Sequence, residues 1–418
     1  MAEGNAGLQR SSASHASEAG KMERRGGRLR AGMGRVTAVA AAMLLAACST
    51  IVPRGPVQQS RPEPTRPETR PTQPEVAQGL PRDNERHRVA LLVPLSGANA
   101  GVGRSLANAT QLALLDTRNQ QVRITSYDTA TGAGAAAQRA IADGAQLILG
   151  PLLADDVRVV GPIARAAGVP VLSYSNDVSV AGNGAYLLGY APAQAIERVV
   201  AYASGKGISN FGGLVPNALY GSRASTAFLR AVEQAGGRVT SLQTYDRGSG
   251  AVAGAVQRMA KDAPFGAVLI ADGAAQANAA APLLRRASPS TQLLGTELWN
   301  SDNNIATATA LNGAWFASVP NAMYRQYARN YRTRFGTSPY RLSSLGYDSV
   351  LLVVRIARDW QTNTRFPEAR LRDADGFVGI DGAFRFGRDG VAERALEVQE
   401  IRGNTTVTVS AAPVGFGK

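Results

Sequence analysis

The chain of 418 residues holds one cysteine and two histidines. The single cysteine, Cys48, excludes an internal disulfide. It also lies upstream of every segment with a fold-like pattern, so cysteine catalysis is excluded there. His15 and His87 both precede that patterned region. A Ser-His-Asp triad or a His-rich zinc site therefore has no histidine to draw on, and neither a metal site nor a cofactor is expected. The apolar stretch at residues 36–47 falls well short of the about 20 residues a membrane-spanning helix needs. Acidic residues are the scarcer charge, 31 against 45 Lys and Arg. Residues 1–47 hold seven of the basic and three of the acidic ones, which leaves the remainder at +10. Such a balance favours anionic surfaces and acidic partners.

What is present begins with an export signal. Lys21, Arg24, Arg25, Arg28, Arg30 and Arg35 make a positive leading segment, and residues 36–47 have the length of a signal-peptide apolar region. Leu45-Ala46-Ala47-Cys48 resembles the lipobox of bacterial lipoproteins. The resemblance implies that the Cys48 thiol carries a diacylglycerol and that Cys48 becomes the first mature residue. Residues 1–47 are thus expected to be a signal peptide, with Met1–Gly20 as an upstream extension. Residues 48–87 are expected to be the lipidated N-terminus and a linker. Its centre, residues 61–74, has Pro at every second to fourth position and cannot form a core. At roughly 3.1 Å per residue, such a partly polyproline tether reaches on the order of 100 Å. Attachment to a membrane through Cys48 is expected. Nucleic acid is not an expected partner of an exported protein.

From Arg88 on, about 330 residues remain, enough for two lobes. Short apolar runs alternate with amphipathic stretches. Strands are expected at 88–95, 122–128, 147–150, 169–173, 211–215, 239–245, 267–271, 293–295 and 314–318. Helices lie between them, as at Ser105–Asp116, where Leu106, Ala109, Leu112 and Ala113 share a face. This is the pattern of parallel, doubly wound α/β sheets. Ligands in such sheets bind beyond the carboxyl ends of strands, which directs attention to Ser96, to Gly150-Pro-Leu-Leu153, to Ser173–Asp177, to Asn217–Gly221 and to Thr296-Glu297.

Several catalytic patterns fail on inspection. Gly101-Val-Gly103 begins like a dinucleotide fingerprint, but Leu106 stands where the third Gly or Ala belongs. Asp373-Ala-Asp375-Gly376 lacks the remaining ligands of a calcium loop and reads as a turn. Asp155-Asp156 opens a helix, where carboxylates complement the dipole. Tyr324, Tyr327, Tyr331 and Phe335 fall on one side of a helix, with Arg325, Arg329 and Arg332 on a solvated face. No enzyme is expected.

The order of motifs is informative. Val89-Ala-Leu-Leu-Val-Pro-Leu-Ser-Gly97, Ile148-Leu-Gly-Pro151 and Ala166-Ala-Gly-Val-Pro-Val-Leu-Ser173 resemble the first lobe of type I periplasmic binding proteins of the Leu/Ile/Val-binding kind. Tyr331 to Pro339, Gly346-Tyr-Asp348 and the hairpin from Gly382 to Gly390 resemble its later landmarks. The resemblance implies two Rossmann-like lobes with an interlobe cleft. The first lobe is expected at about 88–191 and 319–370, the second at about 192–318 and 371–418. It implies that Ser175 and Asp177, in the second loop, and Tyr220 and Glu297, in the second lobe, face a small-molecule ligand. Ser96 and Asp155 complete the expected cleft set. Asp155 departs from the amino-acid-binding members, whose first loop carries a Ser. Gly150-Pro-Leu-Leu153 resembles the penicillin-binding-protein activator lipoproteins. That implies a lipid-anchored regulator of peptidoglycan synthesis at the periplasmic face of the outer membrane, with a penicillin-binding protein as partner. Ser49 after Cys48, rather than Asp, resembles outer-membrane sorting; anchoring in the inner membrane is the alternative. The alternative function is a solute-binding protein for an amino acid or small polar ligand feeding an ABC-type importer.

Overall fold

In a computed structural model of the chain, residues 85–246, 248, 250–301 and 305–416 are described. The export signal, Cys48 and the Pro-rich linker lie outside the described residues.

The first strand, β1 (His87–Val93), shows why a parallel sheet forms. Val89, Ala90, Leu91, Leu92 and Val93 are all at most 1% exposed. A strand buried on both faces needs helices on both sides of its sheet. β1 is followed by α1 (Ala100–Thr117), β2 (Val122–Asp128), α2 (Ala133–Ala142), β3 (Leu147–Leu149), α3 (Ala154–Ala166), β4 (Val171–Ser173) and β5 (Ala185–Leu187). The five strands form a parallel sheet in the order β2-β1-β3-β4-β5. β5, three residues between Gly184 and Gly189, is too short to have shown as a strand pattern.

The second lobe repeats the scheme. It comprises α4 (Pro192–Gly205), β6 (Asn210–Pro216), α5 (Leu219–Gln234), β7 (Arg238–Tyr245), α6 (Ala251–Met259), β8 (Ala267–Ile270), α7 (Ala274–Ala287), β9 (Gln292–Gly295) and β10 (Trp315–Ser318). The chain then returns through α8 (Ala322–Phe335) and α9 (Ser343–Ala357). It continues into a small antiparallel sheet of β11 (Phe377–Gly379), β12 (Gly382–Phe386) and β13 (Ala392–Arg394). β14 (Glu397–Arg402) and β15 (Thr405–Ser410) close the second sheet, ordered β15-β14-β10-β9-β8-β6-β7.

The expectation for residues 371–418 needs correction. Phe377, Phe384, Phe386 and Ala392 pack with Val89, Leu91, Leu106 and Val353 of the first lobe, and only from Leu396 onward does the chain join the second-lobe core. A hairpin with one apolar face carries no local mark of which of two similar cores it will cover.

The glycines of the rejected dinucleotide pattern have a packing role. A Cβ on Gly103 would lie 1.8 Å from the Pro94 carbonyl oxygen, and a Cβ on Gly221 would lie 1.8 Å from that of Pro216. In each lobe, the helix after the first strand can approach that strand's end only because Gly stands there. On α8, Tyr327 and Tyr331 are buried beside Ala109 and Leu112, while Arg325, Arg329 and Arg332 are exposed, as the spacing predicts. His87, expected to precede the fold in the linker, is instead the first residue of β1: it is buried and stacks on Trp360 with ring centroids 3.8 Å apart.

Candidate ligand cleft

The expected cleft residues sit on the loops that leave the carboxyl ends of the strands. Ser96 follows β1 and is exposed. Its Oγ donates to Asp128 Oδ2 at 2.6 Å, while Asp128 Oδ1 accepts from the backbone N–H groups of Leu95 and Ala130. The Ser96 hydrogen bond leads in holding the Asp128 carboxyl below the usual carboxylate range. Ser96 therefore ties the ends of β1 and β2 together.

Asp155 opens α3. Its side chain is 93% exposed and pairs with Arg158 one turn further on. Arg158 also reaches Asp177, with Nη2 3.1 Å from Oδ2. Asp177 lies beyond β4 and is 3% exposed. Its Oδ1 accepts from the Ser179 backbone N–H at 2.9 Å and from the Ser179 hydroxyl at 2.5 Å. Arg223 Nη2 comes within 2.7 Å of the same oxygen. Burial raises this carboxyl, but the hydrogen bonds from Ser179 and Arg223 outweigh it and hold the group at about 2. Arg223 belongs to α5 of the second lobe, so this ion pair joins the two lobes. Ser175 is buried. Its Oγ accepts from the Asp177 backbone N–H at 3.1 Å, and its own N–H donates to Ser173 Oγ.

Tyr220 stands one turn before Arg223 on α5. Its hydroxyl lies 2.9 Å from Thr296 Oγ1 and donates to Glu297 Oε1 at 3.0 Å. Burial, then the Glu297 charge, raises the Tyr220 hydroxyl. Burial also pushes the Glu297 carboxyl up to about 7, against the hydrogen bonds of its own backbone N–H, Tyr220 and Thr296. A carboxyl so poised shifts between its neutral and charged forms around pH 7 and, when neutral, can donate as well as accept.

The structure thus brings Tyr220 to Glu297 and Ser175 to Asp177, and links Asp155 to Asp177 through Arg158. Ser96 stands with Asp128 instead. Sequence reasoning missed Arg158 and Arg223. Each reads as an ordinary solvated residue of an amphipathic helix, and nothing in its neighbours marks the carboxylate it meets. The Gly346-Tyr-Asp348 landmark has a structural explanation. Asp348 accepts the backbone N–H groups of Ile380 and Asp381 at 2.7 and 3.2 Å, fastening the β11–β12 turn to α9. Among the described residues, no group of three or more His, Cys, Asp or Glu is placed to hold a metal, and no helix is long and apolar enough to cross a membrane.

Comparison with known proteins places this geometry. Residues 87–406 match a family model described as periplasmic binding protein. The chain is similar to an uncharacterized protein of Rickettsia prowazekii (strain Madrid E), 23% identical over 184 residues. Those residues are 44% of this chain and 49% of that protein, so the match spans about half the relative's length. A putative branched-chain amino acid ABC transporter protein from Rhodospirillum rubrum superposes with a TM-score of 0.70 at 20% identity, covering 78% of this chain and 100% of that one. Full-length LpoA from Haemophilus influenzae superposes with a TM-score of 0.61 at 19% identity, covering 78% of this chain and 59% of that one. At such identities the likeness speaks for the fold.

Proposed function

Since the chain belongs to the periplasmic binding protein family, we propose that it is a non-enzymatic, lipid-anchored periplasmic regulator that stimulates a penicillin-binding protein. The single observation that carries this reading is the Asp177–Arg223 ion pair. In the amino-acid-binding members that the sequence resembles, the second loop and the second-lobe Tyr face a ligand. Here Asp177 is taken by Arg223 and Arg158, the Ser175 hydroxyl by the loop itself, and the Tyr220 hydroxyl by Glu297. The polar groups that would hold a solute are instead satisfied by one another, and one of these contacts, Asp177–Arg223, holds one lobe to the other. A domain pinned in this way presents a fixed outer surface, as docking to a protein requires. Leu153 and Val178, on the loops after β3 and β4, are 39% and 48% exposed and offer apolar contacts beside the Gly-Pro-Leu-Leu loop. Structural similarity to LpoA and the loop's resemblance to the activator lipoproteins support the same reading. A lipid on Cys48, at the outer membrane, and the linker after it would set the distance to a membrane-bound partner.

The test is a binding and activity assay of the chain with purified bifunctional penicillin-binding proteins. Binding accompanied by a several-fold rise in glycan-strand or peptide cross-link synthesis is expected. Neither binding nor stimulation with any of them overturns the proposal. A second reading, a solute carrier for an ABC-type importer, draws on the Tyr220–Glu297 pair and on the Rhodospirillum rubrum relative. It predicts thermal stabilisation by an amino acid or small polar solute. At 100 times its Kd such a ligand adds about 2.7 kcal/mol.

A further inference from the structure

Of the two glycines in Gly101-Val-Gly103, Gly103 serves packing, and Gly101 has a different task. A Cβ on Gly101 would lie 2.8 Å from the Tyr340 hydroxyl oxygen and 3.3 Å from the ring carbon that bears it. Glycine here lets the Tyr340 side chain lie along the start of α1. Tyr340 belongs to the connection between α8 and α9, and its backbone is held on both sides. Its N–H donates to Ser105 Oγ at 3.1 Å. Its carbonyl accepts from the Ser343 N–H at 2.9 Å and from the Ser343 hydroxyl at 2.6 Å. The side chain is nevertheless 52% exposed, and its hydroxyl makes no hydrogen bond among the described residues. An aromatic ring fixed before a ligand arrives spares the entropy of ordering it on binding.

A groove of about 360 Å³ runs between α1 and this connection. That is at the lower end of the roughly 300–1,000 Å³ in which proteins hold small molecules. Beside Tyr340 it presents amide, hydroxyl and guanidinium groups. Asn108 Nδ2 donates to the Tyr331 hydroxyl at 3.0 Å, which leaves Asn108 Oδ1 to accept and the Tyr331 O–H to donate. Thr337 and Ser338 are exposed, and their hydroxyls make no hydrogen bond among the described residues. Arg104 is exposed as well. Its Nη1 donates to the Leu95 carbonyl at 3.3 Å, and it forms no ion pair among the described residues.

None of the residues that line the groove carries a carboxylate. From Asn303 to Tyr347 the sequence has no Asp or Glu, while Arg332 and Arg334 are exposed on the last turn of α8, just before the groove connection. The Asp128 carboxylate, which accepts from the Leu95 N–H, is also taken by Ser96 and by the Ala130 N–H and lies outside the groove lining.

These groups select a class of ligand. An exposed aromatic face gains most from a flat apolar surface, and the amide and hydroxyl groups around it need a ligand with several hydroxyls. A pyranose ring offers both, a face of C–H bonds and a rim of hydroxyl groups. A guanidinium in a lining without carboxylates adds a preference for an acidic ligand, held through two parallel hydrogen bonds. A free amino acid would bring an ammonium group that meets no anion here. We propose that this first-lobe groove binds a pyranose sugar that carries a carboxylate. Its ring stacks on Tyr340, its hydroxyls meet Asn108, Thr337 and Ser338, and its carboxylate meets Arg104. Free sugar acids and the acidic sugars of a glycan strand share this chemistry. The inference is independent of a penicillin-binding protein partner.

The experiment is thermal unfolding of the full chain with glucuronate, galacturonate or N-acetylmuramate, together with co-sedimentation on purified peptidoglycan sacculi. A saturable rise in Tm of about 2 °C or more with one of the three sugars identifies a free sugar acid. Retention on sacculi without such a rise identifies a strand-borne one. Neither rise nor retention overturns the proposal. Glucose, which lacks the carboxylate, and gluconate, which lacks the ring, should bind about tenfold more weakly or less. Equal binding of either overturns the assigned class. Tyr340→Ala and Arg104→Gln, both at exposed side chains, should each weaken binding about tenfold or more, while Tyr220→Phe leaves it unchanged. Full binding by both groove variants, or its loss in Tyr220→Phe, overturns the groove as the site. Should a groove variant fail to fold, NMR on the wild-type chain decides. Contacts between sugar C–H protons and a tyrosine ring support the site, and their absence overturns it.

Discussion

Between the strand-end loops, one carboxylate, Asp177, takes two guanidinium groups, Arg223 and Arg158. At the hinge, one carboxylate, Asp381, takes one guanidinium group, Arg341, and the buried carboxyl of Asp348 feels the charge of Arg394. The loop pair joins the lobes, while Arg341 and Asp381 both belong to segments that pack on the first lobe. They differ in what surrounds the arginines. In the loops, the Arg158 and Arg223 side chains are 49% and 29% exposed, so water screens the surplus charge. At the hinge, the Arg341 side chain is 4% exposed and no such screening is available. A similar ion pair is thus screened near solvent and unscreened in the interior. Breaking a surface pair costs little, whereas breaking a buried one leaves an uncompensated charge.

The comparison can be broken by substitution. Asp381→Asn should be the most damaging change, because it leaves Arg341 buried without its counter-ion. A loss of about 3–5 kcal/mol in denaturant unfolding is expected, and a loss below about 1 kcal/mol would contradict the hinge account. Asp177→Asn removes the ion pair across the cleft but leaves partly solvated arginines. It should cost about 1–3 kcal/mol and should speed hydrogen exchange in the loop after β4.

Two carboxyls of the strand-end loops should also respond to pH in opposite senses. Asp177 is held at about 2, below its unfolded value. Its contribution is present above pH 4 and is lost as pH falls toward 2, so Asp177→Asn should flatten that acid limb. Glu297 is pushed up to about 7, above its unfolded value. Its contribution is complete below pH 4.5 and is lost as pH rises through 7. Glu297→Gln keeps an acceptor for Tyr220 and removes that loss. The variant should therefore gain on the order of 1 kcal/mol relative to the wild-type chain at pH 8, measured by urea unfolding at both pH values. Asp155→Asn should show the smallest effect, within about 0.5 kcal/mol, since its partner Arg158 retains Asp177. A larger loss would mean that Asp155 takes part in joining the lobes.

Much of the fold was legible because its cause is local. Nine strands could be read from short apolar runs, as in Val89–Val93, and the buried face of α8 from the spacing of Tyr327 and Tyr331. β5 escaped because three residues between glycines carry no period. The small sheet was placed on the wrong lobe because Phe377, Phe384 and Phe386 show that a face is apolar, not what it meets. The strand-end loops were legible in outline. Tyr220 was expected to face a ligand and is bonded to Glu297, while Ser96 and Asp155 found partners of their own.

The sequence by itself determined the alternation of strand and helix and the loops on which polar groups would gather. These follow from periods of two and 3.6 residues and from composition, which any short window contains. Only the tertiary structure decided which charges meet. Asp177 and Arg223 lie on different lobes, and Arg341, Asp381 and Arg394 come from α9's approach and from either side of the β12–β13 hairpin. Coulomb attraction acts through space and burial sets its strength, so neither quantity exists until the chain has folded.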